Sequence, residues 1–286
     1  MICINKDEDV EKEAEFAGIN KNVVALDPKT DPITEEEDDE EKESGSGIDL
    51  GIISMEKLTL GLKKKLVVLP VGGFLVHRAH SRRPKTIPEN RRPDFCSGKF
   101  MIYRRPYCEG FLKFCFERFE VGIWSSAMEH NIDGVLTNVM GELESKLLFT
   151  WGQNQCTETK FKCVGNKHKP LFLKQLDHIW EKKYIYHRWS AGEYSASNTL
   201  LISDPITALL NPPNNVISPA EYDSENKQDD FLGPNGELRV FLEGLAEAKD
   251  VQTYVKTHRI GDPAITSSHA DWEYYSKIIR AYTTTK

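Results

Sequence analysis

Three short apolar runs constrain this chain most: Lys64–Leu69, Glu120–Ser125 and Asn198–Ser203, each stopped by turn-forming or polar residues. Runs this short suit strands covered on both faces rather than buried helices. Helical spacing separates them. Cys108, Phe111, Leu112, Cys115 and Phe119 recur at intervals of three and four, behind a Pro106 read as the opening of a helix. Strands alternating with helices predict an α/β domain with a mostly parallel sheet covered on both faces. In such sheets chemistry gathers beyond the carboxyl ends of the strands. Three segments are therefore singled out, Pro70–Gly73, Trp124–Ala127 and Ser203–Pro205, and they are expected side by side along one rim.

The remaining elements read less sharply. Residues 77–94 are basic and broken by proline, with Arg78, Arg82, Arg83, Lys85, Arg91 and Arg92, and predict a loop or small flap. A helical stretch runs to about Glu144, followed by a strand over Lys146–Trp151. His168–Lys183 is read as a helix entered through Pro170, with His168 at its entry. Asn211-Pro-Pro-Asn-Asn215 is a turn signal, after which Val216–Ser218 can pair as a short strand. Gly236–Thr257 again has helical period, and the five tryptophans are assigned to packing.

Charge divides the chain. Residues 1–56 hold 5 Lys/Arg against 18 Asp/Glu, whereas 57–286 hold 32 against 26. The acidic run Thr34-Glu-Glu-Glu-Asp-Asp-Glu-Glu-Lys-Glu43 has no apolar periodicity to offset its ordering entropy. Residues 1–56 are accordingly expected to be a disordered tail and 57–286 the globular domain. The domain's weakly basic balance suits a phosphorylated or acidic protein partner and makes nucleic acid an unfavoured one. None of the six cysteines forms a Cys-x-x-Cys pair or takes zinc-finger spacing, which predicts free thiols. The longest apolar run, Leu66–Val76, is 11 residues and interrupted by Pro70, Gly72 and Gly73, so no membrane span is expected. The start, Met-Ile-Cys-Ile-Asn, has neither a basic-then-apolar leader nor an Arg-rich presequence, giving the expectation of a nuclear or cytoplasmic protein.

Several segments together carry a family resemblance. Leu-Val-Val-Leu-Pro-Val-Gly-Gly-Phe-Leu-Val-His, from Leu66 to His77, resembles the first signature of the NLI-interacting-factor-like, or CTD-phosphatase-like, branch of the haloacid dehalogenase (HAD) superfamily. That signature reads Leu-Asp-Leu-Asp-Glu-Thr-Leu-Val-His. The similarity continues through Tyr103-Arg-Arg-Pro106, Phe119-Glu-Val-Gly-Ile-Trp-Ser-Ser-Ala127, Lys167-His-Lys-Pro-Leu-Phe-Leu-Lys174 and Asn198-Thr-Leu-Leu-Ile-Ser-Asp204. Leu232-Gly-Pro-Asn-Gly-Glu-Leu-Arg239 and Asp271–Ile279 resemble a plant-type branch. The resemblance covers about residues 62–280. It implies a HAD-like (Rossmannoid) α/β fold, helices on both faces and a small flap insertion.

It also implies a mechanism that this chain does not reproduce. In the family the first Asp of the signature attacks phosphorus, the second is the general acid/base, and Mg²⁺ is held with help from a fourth-signature acid. Here the nucleophile position is Pro70 and the acid/base position is Gly72. Ser125 and Lys174 stand at the family's phosphate-binding positions, and Asp204 at the fourth signature either reaches a metal site or caps its own turn. Loss of a covalent nucleophile costs several powers of ten in rate. The leading expectation is a pseudophosphatase that binds a protein or phosphopeptide, with no cofactor, and with Mg²⁺ only if activity remains. An active Mg²⁺-dependent protein serine/threonine phosphatase is the alternative. A receptor-like subunit of the mitochondrial inner-membrane import machinery is a second one. The Arg78–Arg92 stretch stays open between a solvated flap and a grip on a phosphopeptide.

Overall fold

A computed structural model describes residues 64–184 and 186–283. The acidic segment lies outside the described residues. At the centre is a five-stranded sheet, all parallel. It is built from β1 (Leu66–Leu69), β5 (Glu120–Trp124), β6 (Phe149–Trp151), β9 (Thr199–Ile202) and β10 (Val216–Ile217), in the order β10-β9-β1-β5-β6. Leu66 is in register with Glu120 on one side and Thr199 on the other. The predicted rim therefore forms: β1 ends between β5 and β9, and all three point the same way.

Strand alternation sorts the core. Val67, Leu69, Val121, Ile123, Leu200 and Ile202 face one side, where they join α1 (Cys108–Arg118), α2 (His130–Met140), α4 (Glu237–Glu247) and α5 (Val251–Thr257). Leu66, Val68, Trp124 and Leu201 face the other, under the one-turn α3 (Asp177–Trp180) and an aromatic pile of Trp151, Trp189 and Tyr194. Trp124 and Trp151 meet edge to face at 4.7 Å, a geometry that favours aromatic pairs beyond their buried area. The helical period of 236–257 resolves into two helices, because α4 ends at Glu247 and Asp250 caps the next one through Thr253 N.

The flap is an antiparallel sheet of β2 (Val76–His80), β3 (Phe95–Ser97) and β4 (Phe100–Arg104), ordered β2-β4-β3. Two of its arginines are structural. Arg78 lies over the Phe100 ring at 4.2 Å, and Arg91 bonds Tyr222 Oη, Asp94 Oδ2 and the Arg104 carbonyl. Arg82, Lys85 and Arg92 are exposed. Helix α1 opens at Cys108, two residues after Pro106, with Tyr107 in the left-handed region at φ 62°.

One expected element is overturned. His168–Lys183 is not a helix: β8 (Asn166–Leu173) runs antiparallel to β7 (Thr157–Cys163), and only Asp177–Trp180 is helical. His168 is an exposed strand residue rather than a helix entry. The two-residue turn Val164-Gly165, with Gly165 at φ 84°, joins two alternating runs into a hairpin. Pro170 is tolerated because it sits opposite Lys162, where the register shifts.

A final helix, α6 (Trp272–Thr283), packs on this hairpin through Tyr275 and Ile278. Two of its tyrosines reach the outer edge of β7. Tyr274 Oη accepts from Lys162 N and donates to the Lys162 carbonyl, and Tyr282 Oη accepts from Lys160 N.

Candidate functional site

The loop after β1 is tightly wound. Leu75 N and Val76 N both donate to the Val71 carbonyl, and Gly73 N donates to Val76 O at 2.8 Å. Gly73 has φ +73°, a conformation nearly reserved for glycine. Pro70 and Gly72 bring no carboxylate to this loop. A Cβ on Gly72 would meet only Arg78 Cδ at 3.7 Å, an ordinary contact. On Gly73 it would stand 3.0 Å from Glu221 Cγ. Glu221 was not singled out from sequence. It arrives on a segment held by Tyr222 N donating to the Gly73 carbonyl at 2.7 Å. The same segment is fixed by a buried bidentate pair in which Arg105 donates to both oxygens of Asp229. Arg105 also lies 4.6 Å from the centre of the Phe231 ring.

On one side of this loop is Ser125, just past β5. Its N–H donates to the Trp151 carbonyl and its Oγ accepts from Ala127 N at 3.1 Å, so the hydroxyl proton is still available to donate. On the other side is Lys174, just past β8. It is buried, not the solvated residue that a helix at 168–183 would have made it. Its Nζ donates to Ser203 Oγ at 3.2 Å. The chain of hydroxyls continues: Ser203 Oγ and Thr207 Oγ1 are 2.7 Å apart, and Thr207 Oγ1 donates to Asp204 Oδ2 at 2.6 Å. Because Thr207 spends its single proton on the carboxylate, the Ser203 hydroxyl donates to Thr207 and accepts from lysine. Burial holds Lys174 below the usual ammonium range, with Asp204 and then Cys156 pulling the other way. Cys156 ties the two halves of the site together. Its Sγ lies 3.9 Å from the Ser125 carbonyl, and it is one of the groups acting on Lys174. Burial pushes the Cys156 thiol up.

Backbone positioning is explicit. Lys174 N donates to the Thr207 carbonyl, while Asn211 takes the Leu176 N–H on Oδ1 and gives Nδ2 to the Lys174 carbonyl. Asn211 was visible in sequence only as a turn residue, and Thr207 not at all.

Asp204 caps its own turn. Oδ1 accepts from Ile206 N and Thr207 N, and Oδ2 from the Thr207 hydroxyl. Among the described residues no three His, Cys, Asp or Glu side chains converge as a metal site. The Mg²⁺ that the fold family uses needs near-octahedral oxygen ligation around hard anions. Pro70 offers no oxygen from its side chain, and the Asp204 oxygens are engaged, so this donor set does not fit the ion.

The model of the NLI interacting factor-like phosphatase family matches residues 65–252, the segment that contains the sheet, the flap and every residue of this site. The chain belongs to that family. Among curated proteins it is 30% identical over 164 residues to an uncharacterized FCP1 homology domain-containing protein of Schizosaccharomyces pombe, a match covering 56% of this chain and 62% of that one. The chain thus spans under two thirds of that relative. Among solved structures it resembles the fission yeast RNA polymerase II CTD phosphatase Fcp1 bound to beryllium fluoride, with 13% identity and a TM-score of 0.37 over 80% of this chain and 65% of that one. A second structure of Fcp1, described as an essential RNA polymerase II CTD phosphatase, gives 13% identity and a TM-score of 0.38 over 79% and 64%. Within the described residues no helix is long and apolar enough to cross a membrane.

Proposed function

We propose that this member of the family is a pseudophosphatase: a module that binds a phosphorylated protein segment at the strand-end rim without hydrolysing it. The observation that carries this is the β1 loop, where Pro70 stands at the nucleophile position between two intact phosphate-binding positions. Ser125 keeps a hydroxyl proton to donate, and Lys174 brings the N–H donors of a buried lysine. Preformed donors of this kind stabilise phosphoryl oxygens. Attack on phosphorus, by contrast, needs a group that neither Pro70 nor Gly72 supplies. Asp204 supports the same reading, since three of its roughly four acceptor sites serve the turn.

The test is turnover of p-nitrophenyl phosphate with and without Mg²⁺, alongside binding of inorganic phosphate followed by thermal shift. Saturable stabilisation by phosphate with no turnover is the expected result. Mg²⁺-dependent turnover abolished by Asp204→Asn would replace this reading with an active protein serine/threonine phosphatase.

A further inference from the structure

A cavity of about 490 Å³ opens between β7, α3 and the end of α6, within the size range of small-molecule sites. Its wall combines the family core with a helix outside the segment that the family model matches. Thr157, Gln175 and His178 come from residues 65–252, and Tyr282 comes from α6. Lys160 and Lys183 also line it, and no carboxylate does.

The hydrogen-bond inventory of this wall is one-sided. Gln175 Oε1 is taken by the Thr157 hydroxyl, which leaves the carboxamide NH₂ as the free end. The His178 ring is saturated: Nδ1 donates to the Gln155 carbonyl at 3.1 Å, so Nε2 accepts from Lys183 Nζ at 3.1 Å. Tyr282 Oη accepts from Lys160 N, which leaves its O–H to donate. The lining residues keep donor capacity: the Gln175 amide NH₂, the Tyr282 O–H and the side-chain ammonium groups of Lys160 and Lys183. The Phe161 ring and the edge of Tyr282, 6.5 Å apart between centroids, supply an apolar wall.

We propose that this cavity is a second ligand site, built by α6 onto the family domain, for a small organic anion with a flat apolar body. Lys160 and Lys183 would neutralise the anionic head, Gln175 and Tyr282 would donate to it, and Phe161 would pack against the body. The proposal is independent of the strand-end site.

The test is amide NMR of the ¹⁵N-labelled full chain titrated with benzoate and phenyl phosphate, with phenol as the neutral control. The expected result is saturable shifts at Lys160, Gln175 and Tyr282 with both anions and not with phenol. The Lys160→Gln/Lys183→Gln double variant should weaken binding at least about tenfold, and Tyr282→Phe severalfold, as expected for loss of charge-assisted donors. Tyr282→Phe removes one oxygen only and decides the matter if the double variant misfolds. Equal affinity for phenol and benzoate would overturn the proposal. So would unchanged binding by the variants. Shifts confined to Ser125 and Ser203 would overturn it too while leaving the strand-end reading intact.

Discussion

Replacing Lys174 with methionine should make the protein more stable and at the same time blind to phosphate. Lys174 is 4% exposed, and the one side-chain partner of its Nζ among the described residues is Ser203 Oγ at 3.2 Å. Burying an ion costs several kcal/mol after relaxation, whereas one hydrogen bond to a charged group returns about 1.5–3 kcal/mol. The Asp204 carboxylate offsets part of the remainder, but its link to lysine runs through two hydroxyls. Methionine keeps the apolar stem in place, and the Ser203 hydroxyl still has Thr207 to donate to. A net gain of about 1–2 kcal/mol follows. For a domain of this size it should raise Tm by roughly 2–8 °C. Thermal scans in phosphate complete the argument. A ligand at tenfold its Kd stabilises the native state by about 1.4 kcal/mol, and that increment should be present in wild type and absent in the variant. A loss of more than about 1 kcal/mol in the phosphate-free variant would refute the reasoning. It would show Lys174 to be a net structural contributor rather than a group kept in the site at the expense of stability.

Gly72→Asp should fold with little change in Tm, because its Cβ has room, whereas Gly73→Ala should lose about 1–2 kcal/mol through its positive φ and its contact with Glu221, both measurable by urea unfolding. Asp229→Ala leaves Arg105 charged and buried, and should cost about 3–5 kcal/mol by the same assay. The His178 imidazole is held below its usual value, first by burial and then by Lys183. The unfolded chain therefore binds the proton more readily, so this contribution is present above about pH 6.5 and is lost as pH falls toward the depressed folded value. His178→Gln should flatten that part of the stability–pH curve. Among the described cysteines, Cys96 is exposed and should alkylate first, while Cys108, pushed up to about 12 by burial, should react only on unfolding.

The central sheet was legible because β1, β5 and β9 are buried on both faces, and that leaves continuous apolar runs with little alternation to confuse them. Their ends placed Pro70, Ser125 and Asp204 on one rim before any coordinates. The β7–β8 hairpin was not legible in the same way. Pro170 reads as a helix opener when only local preference is considered, and the Val164-Gly165 turn is a weak signal until its two flanks are paired. That error hid the burial of Lys174, since a lysine's exposure depends on what the next element packs against. Thr207 had no sequence signal and Asn211 only that of a turn, because their roles rest on bonds to residues 203 and 174 made by tertiary approach. Asp204 reads in sequence as either a metal ligand or a turn cap, and the structure shows three bonds accepted within its own turn.

The tyrosine hydroxyls of α6 on the outer edge of β7 carry a practical consequence. A chain cut at residue 252, where the family match ends, would strip the cover from Lys160 and Lys162 and uncover Phe161 beside them. Bare backbone flanked by an aromatic ring is a template for another molecule's strand. Shortening this protein to its recognisable portion would therefore leave an edge open to pairing with another copy.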